Sequence, residues 1–256
     1  MLFIMCNAIE FNNISKQYRL GVVSSKTLCD DMCRWWYINV LGKNIYDKTN
    51  EVDFLWALKD IDFNVEEGDV VGIIGKNGAG KSTLLKLLSK IVVPTTGCIT
   101  TNGRVGSLLE IGTGFHYEMT GRENIYMNGA ILGMTKKEIK QKMDEIIDFS
   151  GCELYIDTPV KRYSPGMMVR LGFAVAAHLD PDILVVDEVL SIGDNEFPSK
   201  AINKLKEINK HGVTILYVSH NMNTVLSLCN TGVLLENGKI KNIGNVNEIV
   251  SLYKSE

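Results

Sequence analysis

Polar and apolar residues alternate in two stretches near the start of the chain. Residues 8–18 (AIEFNNISKQY) and 52–66 (VDFLWALKDIDFNVE) show a partial period of two, the pattern of a strand with one buried face. Between them, residues 19–51 contain the mostly apolar run CRWWYI (33–38) with polar residues on both sides. We therefore predict a small antiparallel β lobe over 6–67, with an inserted amphipathic segment at about 26–42.

From residue 68 the pattern changes to short apolar runs that alternate with helical periods. The runs DVVGIIG, ILVVDE (183–188) and VTILYVSH (213–220) predict buried strands. Residues 166–179 predict a helix, and 135–150 predict another because their apolar residues recur at a helical spacing. The predicted apolar face of this second helix comprises Ile139, Met143, Ile146 and Ile147.

The order of these elements indicates an α/β fold in a single domain over 1–256, since no internal repeat or low-complexity tract divides the chain. We expect a helical sub-lobe to be inserted between two halves of the core. The predicted parts are a core from 68–110 and 180–245, a helical sub-lobe over 111–179, and a C-terminal helix over 246–256.

Composition narrows the class of protein. The 256 residues are 45% hydrophobic and 22% charged, and the net charge is −3, so neither disorder nor a nucleic-acid partner is expected. The six cysteines show no CxxC pair, which favours a reduced cytosolic protein over a zinc site. The first residues lack the basic region and cleavable apolar stretch typical of a signal peptide, and no apolar run reaches about 18 residues, so we expect another protein to anchor the chain if it acts at a membrane.

A glycine-rich loop follows the first of the apolar strands. Glycines let backbone amides approach phosphate oxygens closely, and a helix starting at the loop directs its positive end at the same phosphates. Lys81 is placed to reach the β and γ oxygens of a triphosphate, and the Ser82 hydroxyl to ligate Mg²⁺. The predicted nucleotide-binding loop comprises Gly75, Lys76, Asn77, Gly78, Ala79, Gly80, Lys81, Ser82 and Thr83.

Two carboxylates follow the apolar run ILVV. Alone, such a pair is usually a solvated strand end, but beside a phosphate loop it completes a nucleotide site. We expect Asp187 to hold Mg²⁺, through water, and Glu188 to orient or deprotonate the attacking water.

The segment YSPGM (163–167) admits two interpretations. Ser164 suits a helix N-cap and Pro165 the first helical position, so it could be simply a well-capped helix. Alternatively, the same helix start could bind an anion, with Gly166 allowing close backbone approach.

Together these motifs resemble those of the ABC ATPase family over essentially the whole chain. The resemblance implies a P-loop NTPase (RecA-like) core, ATP hydrolysis with ATP and Mg²⁺, and a head-to-tail homodimer that sandwiches two ATP molecules. By the same resemblance, His220 is the switch histidine, Asp194 in SIGD belongs to the D-loop, and Tyr18 stacks on adenine. The residues similar to the family signature, which act on the nucleotide of the other subunit, are Ser164, Pro165, Gly166 and Met167.

Two departures from the family pattern concern the signature and the Q-loop. Tyr163 and Pro165 stand where most of the family has leucine and a second small residue. The usual Q-loop glutamine is missing, and Glu110 is the nearest polar candidate for its role.

Within the family, the phrases FLWALKDIDF, LLEIGTGFHYEMTGRENIYMNGAILG and RLGFAVAAH resemble the branch that exports O-antigen, capsule or teichoic-acid chains. The branch implies an integral membrane transporter subunit as partner, a lipid-linked glycan as transported substrate, and a peripheral location on the cytoplasmic face of the cell membrane. We expect no C-terminal glycan-binding domain after VNEIVSLY, so glycan recognition would fall to the membrane partner or the lipid carrier.

Three alternatives remain open at this point: a transporter for another substrate, a soluble ABC ATPase, and a module that binds ATP without turnover. The interval from Lys81 to Ser164 is too short for the long coiled coil of repair and chromosome proteins. The combination of Lys81, Asp187, Glu188 and His220 argues against a module without turnover.

The inserted segment also has two interpretations. Written as a helix, residues 27–41 place Trp35 and Trp36 on an apolar side and Asp30 and Asp31 on the other. This helix could pack on its own domain, or lie at the membrane surface beside the transporter entrance, where tryptophan is favoured.

Overall fold

The structure is a computed structural model, and it describes residues 7–19, 54–109, 114–187 and 196–255. Several residues singled out by the sequence lie outside these ranges. They are Glu110, Glu188, Asp194 and the inserted segment 26–42.

The described residues form strands and helices in the following order. The strands are β1 (Asn7–Arg19), β2 (Phe54–Glu66), β3 (Val70–Ile74), β4 (Thr96–Thr101), β5 (Val105–Ser107), β6 (Ile183–Val186), β7 (Thr214–Val218), β8 (Thr231–Glu236) and β9 (Lys239–Asn245). The α-helices are α1 (Lys81–Leu88), α2 (Gly121–Ile131), α3 (Lys136–Ser150), α4 (Pro165–Ala177), α5 (Phe197–Lys210), α6 (Met222–Leu228) and α7 (Val246–Lys254). Short 3₁₀ turns cover Glu153–Tyr155 and Val160–Arg162.

A three-stranded antiparallel sheet has the order β2-β1-β4. Its inward side chains pack closely, and the rings of Phe11 and Phe63 stack with centroids 4.3 Å apart. β4 lies within residues 68–110, which the sequence analysis placed in the core. That boundary was wrong because β4 pairs with β1 rather than with the strands of the core, so the β lobe extends beyond 6–67.

A six-stranded sheet of order β5-β6-β7-β3-β8-β9 forms the core, and only β9 runs antiparallel to its neighbour. The strands β3, β6 and β7 are buried along their whole length, which explains their continuous apolar runs. They are neighbours in the sheet, so their carboxyl ends lie side by side at one edge. The phosphate loop, Asp187 and His220 follow β3, β6 and β7 respectively, and therefore converge at this edge.

Helices α2, α3 and α4 form a separate apolar cluster beside the core. The predicted face of α3 is buried at all four positions, Ile139, Met143, Ile146 and Ile147. α2 and α3 both begin with a capping box, in which Thr120 and Thr135 exchange hydrogen bonds with the glutamates three residues later.

The ends of several elements differ from the sequence prediction by a few residues. The helix predicted over 166–179 starts at Pro165, because Ser164 caps it, and ends at Ala177. The strands predicted over 183–188 and 213–220 stop at Val186 and Val218, where the polar residues of the site begin. None of the helices in the described ranges has the length and apolar character needed to cross a membrane.

Candidate functional site

The phosphate loop turns tightly between β3 and α1. Gly78 and Gly80 have φ angles of 81° and 106°, a region that side chains rarely adopt. A Cβ on Gly80 would lie 2.6 Å from the carbonyl oxygen of Ala57, so the loop also needs glycine for space. The Lys81 side chain is buried, and its Nζ donates to the carbonyl oxygens of Gly75 (2.7 Å) and Lys76 (3.0 Å). These bonds hold the ammonium group inside the curve of the loop.

The β8–β9 turn supports the loop from the side. The amide of Gly238 donates to the carbonyl oxygen of Ala79 (3.1 Å), and the carbonyl oxygen of Gly238 accepts from the amide of Lys59 (2.8 Å). One turn therefore connects the phosphate loop to β2, and with it the six-stranded sheet to the three-stranded one.

A cavity of about 480 Å³ opens over the loop and α1. It brings together most of the residues that the sequence assigned to the nucleotide, along with four others. Its lining comprises Tyr18, Leu55, Trp56, Ala57, Asn77, Gly78, Gly80, Lys81, Ser82, Thr83, Asp187, Val218 and His220. The remaining loop residues, Gly75, Lys76 and Ala79, line a smaller cavity on the side of the β8–β9 turn.

One end of the cavity is polar and suits phosphates. The backbone amides at the start of α1 and the buried ammonium of Lys81 provide donors and positive charge, which is what polyphosphate anions require. Asp187 is half-buried and His220 is exposed, and both line the same cavity. Asn221 follows His220 and caps α6 with its side chain, which fixes the backbone at that strand end.

Mg²⁺ has two candidate oxygen ligands here, the hydroxyl of Ser82 and the carboxylate of Asp187. Within the described ranges, no group of three or more His, Cys, Asp or Glu side chains could hold a metal. The residues present fit a magnesium ion that takes few protein ligands and completes its octahedral shell with phosphate oxygens and water.

The other end of the cavity is formed by the far ends of β1 and β2. Tyr18 and Leu55 are directly paired across these strands, and Trp56 and Ala57 follow along β2. The sequence predicts a role for Tyr18 but not for the β2 residues. The phrase FLWALKDIDF shows three large apolar residues at the start of β2, but nothing in the phrase links them to the phosphate loop.

The start of α4 lies outside this cavity, so Ser164, Pro165, Gly166 and Met167 do not meet Lys81 within one chain. Ser164 is exposed, and its Oγ accepts a hydrogen bond from the amide of Met167 (3.2 Å). The buried hydroxyl of Tyr163 donates to the carbonyl oxygen of Tyr155 (2.7 Å). Burial raises the pKa of Tyr163 to about 12, so this donor keeps its proton.

A larger cleft of about 590 Å³ lies at the opposite edge of the core sheet, where β6 and β7 begin. Several of its charged side chains are engaged within the protein: Lys142 pairs with Asp180, Lys204 lies 3.5 Å from Glu207, and Asp182 accepts the amide of Arg104 (2.6 Å). Carboxylates outnumber lysines in its lining, so this cleft does not suit a polyphosphate anion, and the smaller cavity is the better candidate for phosphate chemistry.

Comparisons with known proteins agree with this geometry. The family model described as ABC transporter matches residues 58–191. The O-antigen export system ATP-binding protein RfbB of Klebsiella pneumoniae is 50% identical over 198 residues, which cover 77% of this chain and 80% of that protein. The teichoic acids export ATP-binding protein TagH of Bacillus anthracis is 41% identical over 245 residues, which cover 96% of this chain and 42% of that protein.

A solved structure shows the same fold. It is the dimeric structure of a post-hydrolysis state of the ATP-binding cassette MJ0796 bound to ADP and Pi, with a TM-score of 0.72, 19% identity, and coverage of 93% of this chain and 98% of that one. The predicted α/β fold class is therefore confirmed, and so are the predicted ATPase family and its polysaccharide-export branch. This chain belongs to the ABC transporter family, as one of its ATP-binding ATPases.

Proposed function

We propose that this chain is the ATP-hydrolysing subunit of a system that exports a lipid-linked polysaccharide across the cytoplasmic membrane. The observation that carries the proposal is the single cavity lined by Lys81, Ser82, Asp187 and His220. The names of the relatives, which refer to O-antigen and teichoic acid export, support the class of transported substrate.

In the proposed mechanism the phosphate loop binds the triphosphate through its backbone amides, and Lys81 contacts the β and γ oxygens. Ser82 and Asp187 hold Mg²⁺, which when bound neutralises charge on the phosphate oxygens. Glu188, the residue after Asp187, takes a proton from the attacking water, and His220 stabilises the γ-phosphate end.

We further propose that the catalytic unit is a homodimer. Ser164 and Gly166 lie at an exposed helix start that is separate from the cavity of their own chain, so a second copy has to supply them to the γ-phosphate. Asp194 and Glu110 take the D-loop and Q-loop roles in this arrangement. An integral membrane subunit completes the system and places the chain at the cytoplasmic face of the membrane.

Two variants test the hydrolytic assignment. Lys81→Ala should lose binding of the triphosphate. Glu188→Gln should keep binding of AMP-PNP while steady-state ATP hydrolysis falls by about 10²–10⁴-fold, the usual loss when a general base is removed. Glu207→Gln, in the distant cleft, is the control and should hydrolyse ATP at the wild-type rate. Near-normal turnover in Glu188→Gln would assign the base to another residue.

Export is tested in cells by replacing the gene with the Lys81→Ala variant. Surface polysaccharide should disappear while its lipid-linked form accumulates inside the cell. Loss of a different exported compound would indicate another substrate, and normal export of every compound would indicate a soluble ATPase.

A further inference from the structure

The turn between β8 and β9 lies against the phosphate loop, although the two are distant in the sequence. We infer that Gly238, in this turn, is a positioning residue for phosphate binding, which holds the loop in the shape that receives the triphosphate. The inference rests on the proposed function, because it takes the phosphate loop to be the triphosphate site. Gly238 does not line the nucleotide cavity, so it acts through the backbone of the loop.

The hydrogen bonds inside the loop fix its curve but not its position in the domain. The Lys81 ammonium donates to the carbonyl oxygens of Gly75 and Lys76. The amide of Ala79 also donates to the carbonyl oxygen of Lys76 (3.1 Å). Each of these bonds joins one part of the loop to another. Contacts from outside the loop are needed to place it relative to the neighbouring strands.

The β8–β9 hairpin makes such contacts at both ends of the loop. At the start of the loop, a Cβ on Gly75 would overlap the carbonyl oxygen of Leu235 in β8, so the two backbones touch. Near its end, the carbonyl oxygen of Ala79 accepts from the amide of Gly238 (3.1 Å). β8 also pairs with β3, the strand that leads into the loop. The hairpin therefore holds the loop at two points.

The turn itself has little freedom to change. Asn237 and Gly238 are its two central residues, and their φ angles of 48° and 75° are both positive, as in the tight type I′ turn that asparagine and glycine favour. A Cβ on Gly238 would lie 2.8 Å from the carbonyl oxygen of Ala57, so this position also has no room for a side chain. A larger residue must move the turn away from β2, and the amide that holds Ala79 moves with it.

The bond from Gly238 reaches the phosphate site through a single peptide group. The carbonyl of Ala79 and the amide of Gly80 belong to one planar peptide unit, so a bond that fixes the carbonyl also fixes the direction of the amide. Gly80 lines the nucleotide cavity, and Lys81 with its buried ammonium follows it. Donors that are already oriented bind an anion more tightly than donors that have to be ordered on binding. Displacement of the turn should therefore weaken binding of phosphates, whatever base they carry.

The test compares two ligands that share the phosphates and differ in the base. Binding of AMP-PNP and of inorganic tripolyphosphate, each with Mg²⁺, is measured by calorimetry on the full chain. Gly238→Ala should bind both ligands roughly 5- to 50-fold more weakly than wild type, and by similar factors.

Gly212→Ala is the matched control for backbone strain. Gly212 also has a positive φ, 93°, but it lines the distant cleft, and a Cβ there would meet no atom within 4 Å. Both substitutions strain the backbone and should lower stability. Gly212→Ala should nevertheless bind both ligands as wild type does, because it does not disturb the phosphate loop.

A variant with one glycine inserted between Asn237 and Gly238 serves if Gly238→Ala fails to fold. It lengthens the turn without adding a side chain, and should weaken both ligands in the same way, whereas Asn237→Gly keeps the two-residue turn and should bind like wild type. Unchanged affinity in the folded alanine or insertion variant overturns the inference. So does a loss for AMP-PNP alone, or an equal loss in Gly212→Ala. If wild type itself binds neither ligand, the proposed function fails instead.

Discussion

At the scale of single residues, Tyr163 connects the start of α4 to the 3₁₀ turn Glu153–Tyr155. Most of the family has a leucine here, by the resemblance noted in the sequence, and the tyrosine adds a hydrogen bond from its buried hydroxyl to the carbonyl oxygen of Tyr155. That carbonyl oxygen also accepts from the amide of Thr158 (2.8 Å), so it keeps a partner when the hydroxyl is removed. The hydroxyl therefore adds stability without being indispensable.

Tyr163→Phe should lower the free energy of unfolding by about 0.5–1.5 kcal/mol, the usual net value of one such bond. Urea denaturation of the purified chain measures it. Tyr155→Phe is the control, since it removes an exposed hydroxyl and leaves the backbone acceptor in place, and it should change stability by less than about 0.5 kcal/mol. Equal effects in the two variants would contradict the role of the Tyr163 hydrogen bond.

At the scale of elements, the end of α4 is held by the side chain of His178, as its start is capped by Ser164. His178 follows the last residue of the helix, is buried, and its Nδ1 lies 2.7 Å from the carbonyl oxygen of Ala174. Its ring packs edge-on against Phe149 of α3, with centroids 5.7 Å apart. Burial lowers the pKa of His178, and the nearby Lys204 and Lys142 lower it further, against opposing contributions from the bond to Ala174 and from Glu145.

This lowered pKa makes stability depend on pH. The unfolded chain binds a proton on His178 below about pH 6.5, where the folded chain still excludes it. The folded state therefore keeps its full stability above about pH 6.5 and loses part of it as the pH falls toward the lowered pKa. His178→Gln should reduce that loss, seen by comparing urea denaturation at pH 7.5 and pH 5.5.

His211→Gln is the control substitution, because His211 is exposed and lines the same distant cleft as His178. As a surface substitution it should change the free energy of unfolding by less than about 0.5 kcal/mol. An identical pH dependence in His178→Gln and wild type would show that the proton is not excluded from the folded state.

The elements also show how far the sequence predicts the fold. The strands β3, β6 and β7 and the buried face of α3 could be predicted because each depends on its own short pattern. The pairing of β4 with β1 could not be predicted. The β4 residues, TGCITT, show no clear alternation of polar and apolar positions, and their partner strand is about 80 residues away in the sequence. Ends of helices were missed by one or two residues where a cap such as Ser164 decides them.

At the scale of the whole molecule, the site could be predicted where its chemistry is local to a motif. Lys81, Ser82 and Asp187 belong to short motifs that directly follow buried strands. The carboxyl ends of these parallel strands lie at one edge of the sheet, so the position of each residue follows from its own motif. Gly238 could not be assigned, because its contact with Ala79 depends on how two segments that are distant in the sequence pack together.

The proposed homodimer leads to a mixing experiment. Lys81→Ala and Ser164→Arg subunits should each be inactive alone, since every site of such a dimer carries a lesion. Mixed dimers contain one site with both lesions and one site with neither. ATP hydrolysis should therefore recover in part on mixing. Mixed dimers that form but remain inactive would contradict sites shared between two chains, or show that one site cannot work alone.

The Gly238 turn, which joins the phosphate loop to β2, has a consequence for motion. The turn links the two sheets through single backbone hydrogen bonds, and in the proposed site the nucleotide would reach from Tyr18, at the end of β1, to Lys81, at the start of α1. We expect a bound nucleotide to link the ends of β1 and β2 to α1 and so to limit local opening of both regions at once. Deuterium uptake should slow together at the ends of β1 and β2 and in α1 when AMP-PNP is added, whereas tripolyphosphate should slow it in α1 alone.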